Sequence, residues 1–555
     1  MRISRSFLLV FVALLLGFLP RTAHAQADST LVGTCEPALA DAYLDAGNVR
    51  ARILNNGNLF WRGDGVYEVP KGGGVHAVFV GGLWIGGLVD GELHLAGSTY
   101  GPYEFWPGPL DEDGRPPSDC TPFDRLYEVT RDDLADYNRS RTLTNNLRAW
   151  PFSLGAPVVD GDGIAGNYNL PGGDRPALMG DQSLWWVMND RGNAHRRTRG
   201  RPMGLEVQGT AFAFDAAGAL GNTTFYCYRL LNRNMAPLEE AYFGFFLDPD
   251  LGTAHDDYFG SDTTLQMAFV YNADDDDEDF YGEHPPALGV TVLQGPTATD
   301  DGQDNDRDGL ADEPGERLGM TSFLTYFGGG GGVQTNPSES EHHYYYMQAR
   351  WLDGGRITVG GDGRNFSNIP TSFMFFGNPV TKAFWSEFNV DGKGRAIPPQ
   401  DGRFIMATGP FTLQPGEEQE VVLALVWSRG DDHLDSVRKL REDTAFIRGL
   451  TATLLTPRPG DVHPYVESYP LGFAQNYPNP FRESTVIRYS LPQTMQVRLT
   501  VFDVLGRTVA TLVDRQQAAG VYEAPFEAGS LPTGVYIYRL ELDHLRFTRR
   551  MLLVH

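Results

Sequence analysis

The sequence predicts a mainly β protein, rich in β-sandwich structure through its N-terminal and central region and closing on a compact Ig-like β-sandwich. Three observations carry this. Gly (65) and Pro (36) are abundant in the 555 residues, so turns are frequent and long helices few. Short runs of β-branched and aromatic residues with period-two patterning recur between those turns. With 41% apolar and 12% aromatic residues, the chain has ample material for packed cores. Its 71 Asp+Glu against 45 Lys+Arg, a net charge of −26, argue against a sequence-independent binder of nucleic acid or anionic lipid.

The N-terminus separates from the rest. Arg2 and Arg5, the apolar run Phe7 to Leu19 and Ala23-His24-Ala25 have the order of a secretory signal peptide, residues 1–25, cut before Gln26. The run is shorter than the ~20 residues a membrane span needs. No later segment reaches that length, so the mature chain is expected outside the cytoplasm without a transmembrane segment. Cys35 and Cys120 lie in turn-rich stretches and can pair in an oxidising compartment. Cys227, inside the strand-like run Phe225 to Leu230, is expected as a buried thiol.

From Cys35 to Leu110, glycine-broken runs (Val75 to Val80, Gly81 to Gly87, Glu92 to Ala96) predict antiparallel sheet. Arg62-Gly63-Asp64 reads as a turn. A polar stretch from Pro107 to Trp150 follows, with a short helix near Asp132 to Tyr137. Leu184 to Met188, Gly204 to Phe214, Thr223 to Leu231 and Ala241 to Leu247 are the strongest strands. Phe404 to Thr408 and Phe411 to Trp427 follow, the latter divided by Pro415-Gly416. A helix over 432–448 then places Leu434, Val437, Leu440, Thr444 and Ile447 on one face, with Asp431 or Asp432 as N-cap. These elements give a β-rich region over 26–450, in one or two sandwich domains, a Thr/Pro-rich linker over 451–470 and a last module over 471–555.

The charge is concentrated. Residues 248–316 hold 16 Asp and 4 Glu against one Arg. Within them Asp304, Asp306 and Asp308 stand at positions 1, 3 and 5 of a calcium loop, with Gly309 at the sharp turn, the Leu310 carbonyl at position 7 and Asp312 at position 9. Position 12 is Gly315, not the bidentate Glu of an EF-hand, so the pattern points to structural Ca²⁺ and not to a sensor. Asp248, Asp250, Asp256, Asp257 and Asp262, just after a strand, form a second candidate cation cluster, and Asp160, Asp162, Asp174 and Asp181 a third. The run Asp274 to Asp279 reads as a solvated loop. Only four basic residues are Lys, and an acid-rich, Lys-poor surface also fits a salt-rich habitat.

Nucleophile and phosphate-loop motifs are absent. His342-His343, read as part of a strand, would point to opposite faces and share no metal. Trp84, Trp106, Trp185, Trp186 and Trp351 fit core packing better than a sugar platform. Three roles remain: a non-catalytic secreted or surface β-protein with structural calcium, an exported polysaccharide-active hydrolase, and an adhesin for glycan or surface protein.

The last module carries a specific pattern. Asn476-Tyr477-Pro478-Asn479-Pro480-Phe481 opens it, Gly534-Val535-Tyr536 begins a late strand, and Thr548-Arg549-Arg550-Met551-Leu552-Leu553-Val554 closes it. It resembles the C-terminal sorting domain (type A) of proteins exported by the type IX secretion system of gram-negative bacteria. Arg482-Glu483-Ser484 departs from the more usual Asn-Pro-Thr, and Arg550 stands where Lys is common. The resemblance implies an Ig-like fold, passage through the periplasm to the outer-membrane surface or the medium, and the type IX machinery as partner. It implies no activity.

Overall fold

The computed structural model describes residues 32–298, 316–328, 332–455, 472–491, 495–518, 520–542 and 545–554. The expected signal peptide, the 304–312 loop and residues 456–470 of the expected linker lie outside them. Two nine-stranded antiparallel sheets form the body. Along the first run strands Asp41–Leu44, Arg50–Leu54, Asn58–Leu59, Val80–Val89, Leu238–Asp248, Gly402–Leu413 and Ser322–Phe327, with Tyr67–Glu68 and Glu92–Gly97 on side branches. Along the second run Asp257–Asp262, Met267–Asn272, Ala287–Gln294, Glu418–Ser428, Thr223–Asn232, Leu205–Ala213, Gln182–Asn189 and Trp106–Pro107, with Tyr127–Thr130 also on Gln182–Asn189.

Alternation assigns the faces. In the second sheet Leu184, Trp186, Val207, Tyr226, Tyr228, Val421, Leu423 and Leu425 join Leu83, Ile85, Phe243 and Phe245 of the first sheet in one core. Their neighbours point away: Trp185 and Val187 pack under Leu134, Leu147 and Trp150, while Phe225, Phe269, Ala424 and Val426 pack under Val437, Leu440 and Ile447. A sheet covered on both faces needs near-continuous apolar strands, as in the fully buried Gln182–Asn189 and Leu205–Ala213. Trp186 stands opposite Gly209, where a Cβ would come within 2.2 Å of the indole. Because the chain passes from Leu238–Asp248 in the first sheet to Asp257–Asp262 in the second, and from Gly402–Leu413 back to Glu418–Ser428, the 32–455 region shares one sandwich core and does not divide into two.

The helix His433–Gly449 follows the second sheet's central strand, capped by Asp432, whose side chain accepts the Asp435 N–H at 2.7 Å. The short helix in the polar stretch is Arg131–Ser140, with a Thr130/Asp133 capping box. The His342-His343 segment is not a strand but the helix Ser340–Met347. It lies on the outer face of the first sheet, His343 edge-on to Trp84 at 4.6 Å, and Met347 fills the space left by Gly244, 2.9 Å from where a Cβ would stand. This tertiary cover prevails over the β-propensity of the three tyrosines. Cys35 and Cys120 form a disulfide spanning 85 residues, and Cys227 is a buried free thiol.

The last module is a separate Ig-like sandwich. Gly472–Phe473, Ser484–Leu491 and Gly520–Glu527 form one sheet; Thr508–Gln517, Met495–Phe502, Gly534–Leu542 and Leu545–Leu553 form the other. It has a core cluster of its own, while Ala474 and Tyr477 pack into the cluster under the helix His433–Gly449.

Glu387 is a buried acid of the body: at 2% exposure, it accepts the Phe259 N–H, and burial holds its pKa well above the glutamate value. An acid raised in the folded state keeps a proton that the unfolded chain releases above roughly pH 4.3, so stability falls as pH rises through that window. Glu387→Gln removes the titration. Its stability relative to the wild type should therefore grow as pH rises above the unfolded glutamate value, measured by denaturant unfolding; parallel pH profiles would refute the assignment.

Candidate functional site

Asp248-Pro249-Asp250 ends the 238–248 strand where the chain leaves the first sheet. Leu247 pairs with Phe404, so the residues just past this strand end lie against those just before the 402–413 strand, and Asp401 is brought in. One carboxylate oxygen from each of Asp248, Asp250 and Asp401 lies within 4.8 Å of the others. Arg403 bridges the group: its Nη1 is 2.9 Å from Asp401 Oδ1 and its Nη2 3.6 Å from Asp248 Oδ2. Arg403 Nε donates to Tyr100 Oη at 2.9 Å, and the Tyr100 hydroxyl donates to Asp248 Oδ2. Asp248 is 2% exposed, yet its Oδ1 has no hydrogen-bond partner.

Burial, then the charge of Asp250, pushes Asp248 up to about 7, against the pull of Arg403. Burial, then the charge of Asp401, pushes Asp250 up to about 6. At an effective dielectric near 20, two unit charges ~4.8 Å apart repel by about 3 kcal/mol, so the ionised triad needs more positive charge than Arg403 supplies.

The other acids of this cluster divide. Asp257 Oδ2 accepts the Leu251 N–H at 3.0 Å and Asp256 Oδ2 accepts from Asn272 Nδ2 at 2.8 Å, each leaving Oδ1 unpartnered. Asp262 stands apart: five residues along an extended strand place it roughly 16 Å from Asp257. It pairs with Arg441 at 3.4 Å and accepts the Thr264 N–H at 3.0 Å. The 274–279 run is not wholly solvated. Asp277 is buried, its Oδ1 accepting from Thr253 N at 2.9 Å and its Oδ2 from Tyr281 N at 2.7 Å.

Asp160, Asp162 and Asp174 also converge within 4.8 Å, but loop donors serve them. Asp160 Oδ1 accepts from Gly163 N at 2.7 Å, Asp162 Oδ1 from Ile164 N at 2.9 Å, and Asp174 from Gly161 N at 3.0 Å and Asn169 N at 2.7 Å. Asp181 is not with them; it pairs with Arg131. Asp304, Asp306, Asp308, Leu310 and Asp312 lie outside the described residues, but the flanks of their loop are tied together by the Thr297–Arg317 bridge and by Ala298 N donating to Glu316 O at 3.1 Å.

Trp84, Trp106, Trp185, Trp186 and Trp351 are each at most 4% exposed, so they pack in cores and offer no sugar platform. Among the described residues, the exposed phenylalanines are ones that composition does not single out: Phe280, Phe366, Phe376 and Phe384.

In the last module the opening motif is stitched to the final strand. Tyr477 and Val486 exchange backbone hydrogen bonds at 3.0 and 2.9 Å, and Phe481 N donates to Leu552 O at 3.0 Å. Asn479 Oδ1 accepts the Leu552 N–H at 2.8 Å, and Gln475 Nε2 donates to Arg550 O at 2.6 Å. Pro478 O accepts from Thr485 Oγ1 at 2.8 Å, and Pro480 leads into the buried Phe481. Gly534 opens the 534–542 strand, in which Tyr536 donates to Pro532 O at 2.8 Å.

Residues 475–554 match the family described as secretion system C-terminal sorting domain, and the chain carries a type IX sorting domain. No curated protein matches the chain. Among solved structures, a polysaccharide lyase is similar at 10% identity and a TM-score of 0.20 over 72% of this chain and 38% of that one. Dimeric latent PorU from Porphyromonas gingivalis is similar at 11% identity and a TM-score of 0.15 over 72% and 33%. The chain spans less than two fifths of either, and TM-scores of this size bear on neither its architecture nor its role.

Asp262→Asn should cost on the order of 1–3 kcal/mol, because Arg441 is buried against it. Thermal melts should show the same loss in calcium and in chelator; a loss confined to calcium would put Asp262 among cation ligands.

Proposed function

We propose that this chain is a non-catalytic β-sandwich protein with structural calcium, exported by the type IX system to the outer-membrane surface or the medium. The sorting domain at residues 475–554 is the observation that carries the route, and it makes the secretion machinery the partner. Among the described residues no helix is long and apolar enough to cross a membrane. Two surface cavities of about 250 and 340 Å³ each have a single carboxylate in their lining, Glu128 and Asp160. Hydrolysis of a glycosidic bond needs two facing carboxylates, so neither cavity favours the hydrolase reading. The buried tryptophans remove the feature that suggested a glycan-binding face.

Deleting residues 471–555 should leave the protein in the periplasm, folded and soluble, read by fractionation and circular dichroism; normal arrival at the surface would overturn the route. For calcium, free ion at 100 times its dissociation constant should stabilise the native state by about 2.7 kcal/mol over chelator. Asp306→Ala should remove the share supplied by the 304–312 loop. Identical melts of the wild type in millimolar calcium and in chelator would sink the calcium reading.

A further inference from the structure

We infer that Asp248, Asp250 and Asp401 bind one calcium ion, which ties the end of the 238–248 strand and the crossover between the sheets to the start of the 402–413 strand. The site rests on the structural-calcium reading above and places it on residues separate from the 304–312 loop.

Three observations meet here. The donors are all carboxylate oxygens within 4.8 Å of one another, a set that selects a hard cation; zinc sites in proteins include His nitrogen or Cys sulfur among their ligands. The second is the free Oδ1 of Asp248, 2% exposed and without a partner. Outside the 248–257 crossover, where Asp256 and Asp257 also keep an idle Oδ1, buried carboxylates such as Glu104 and Asp190 are saturated: Glu104 accepts from Gly97 N, Arg197 N and Thr198 N, and Asp190 from Gly204 N and Leu205 N. A carboxylate at the same depth with an idle oxygen beside two further acids is placed to hold an ion. The third is charge: three carboxylates face one guanidinium, Arg403, and a divalent cation cancels the remaining two negative charges. Calcium accepts six to eight oxygens in irregular geometry and takes water for those the protein does not supply, whereas magnesium demands a near-ideal octahedron. Ligands drawn from a strand end, a crossover loop and a distant strand start suit calcium.

The geometry also supplies a probe. Tyr100 touches Asp248, and Trp61 lies edge-on to Tyr100 with ring centroids 6.2 Å apart, so terbium bound in place of calcium would be sensitised by neighbouring aromatic rings. In the full-length protein carrying Asp306→Ala, which disables the 304–312 loop, terbium should show saturable emission excited through the aromatic residues and displaced by calcium. Adding Asp401→Asn or, separately, Asp250→Asn should weaken terbium binding by at least about tenfold, with circular dichroism confirming the fold. Trp61→Phe should lower the emission amplitude and leave the calcium-displacement midpoint unchanged. If Asp306→Ala alone abolishes emission, or if both carboxylate variants bind as tightly as their parent, this site is wrong while the structural-calcium reading stands. Should the unaltered protein show neither emission nor a calcium-dependent melt, both fail.

Discussion

The Glu418–Ser428 strand has to satisfy neighbours on four sides, and the rest of the molecule is registered against it. It pairs with Thr223–Asn232 on one edge and Ala287–Gln294 on the other. Val421, Leu423 and Leu425 enter the core shared with the first sheet, while Ala424 and Val426 lie under the helix that begins five residues after the strand ends. A one-residue slip would exchange the two faces and put the small Ala424 position where Leu423 or Leu425 belongs. Two-sided burial thus fixes the register of the sheet, the seat of the helix and, through the helix, the position of the last module.

The same sandwich has to dispose of its polar groups, and it does so unevenly. Glu104, Asp190 and Asp277 are wrapped by backbone N–H groups, the least costly way to bury a carboxylate. Each organises a loop that strands leave: residues 97–104 and 197–198 around Glu104, 203–205 around Asp190, and 253–281 around Asp277. The 248–257 crossover is the exception, with Asp248, Asp256 and Asp257 each keeping an idle oxygen. An arrangement that would be expensive as it stands, at the point where the chain changes sheets, is understandable as one completed by a positive ion.

Much of the architecture was legible in the sequence because it depends on local pattern. The strands at 184–188, 204–214, 223–231 and 241–247 and the helix at 432–448 appear within a few residues of their expected bounds, since alternation and helical periodicity report which faces are buried. What depended on long-range pairing was not legible. Asp401 joins Asp248 only through the Leu247–Phe404 register, and no spacing rule connects residues so far apart. Asp262 looked like a partner of Asp257 by proximity in sequence, but an extended strand carries it away to Arg441. The 340–347 helix was hidden because its tyrosines favour strands in isolation, and its conformation follows from the glycine gap at Gly244 that Met347 fills. The tryptophans were ambiguous for a related reason: burial of a large ring depends on which layers close over it.

The join between body and sorting domain follows from the polar economy of the helix. Asp443 accepts from Ser428 Oγ at 2.6 Å within the body and from Arg488 across the interface. Arg488 also approaches Glu442 at 3.4 Å and Glu523 at 2.7 Å. All of these but Glu523 are largely buried. Removing Arg488 alone would leave Asp443 without a cation in a dry interface, Glu442 keeping Arg438 at 2.5 Å, a loss of the kind that costs about 3–5 kcal/mol. Removing the whole module returns Asp443 to water, where it needs no such partner. The interface is therefore more sensitive to that point change than to exposure of its carboxylates, and beside the ion pair it rests on Ala474 and Tyr477 packed into the cluster under the helix.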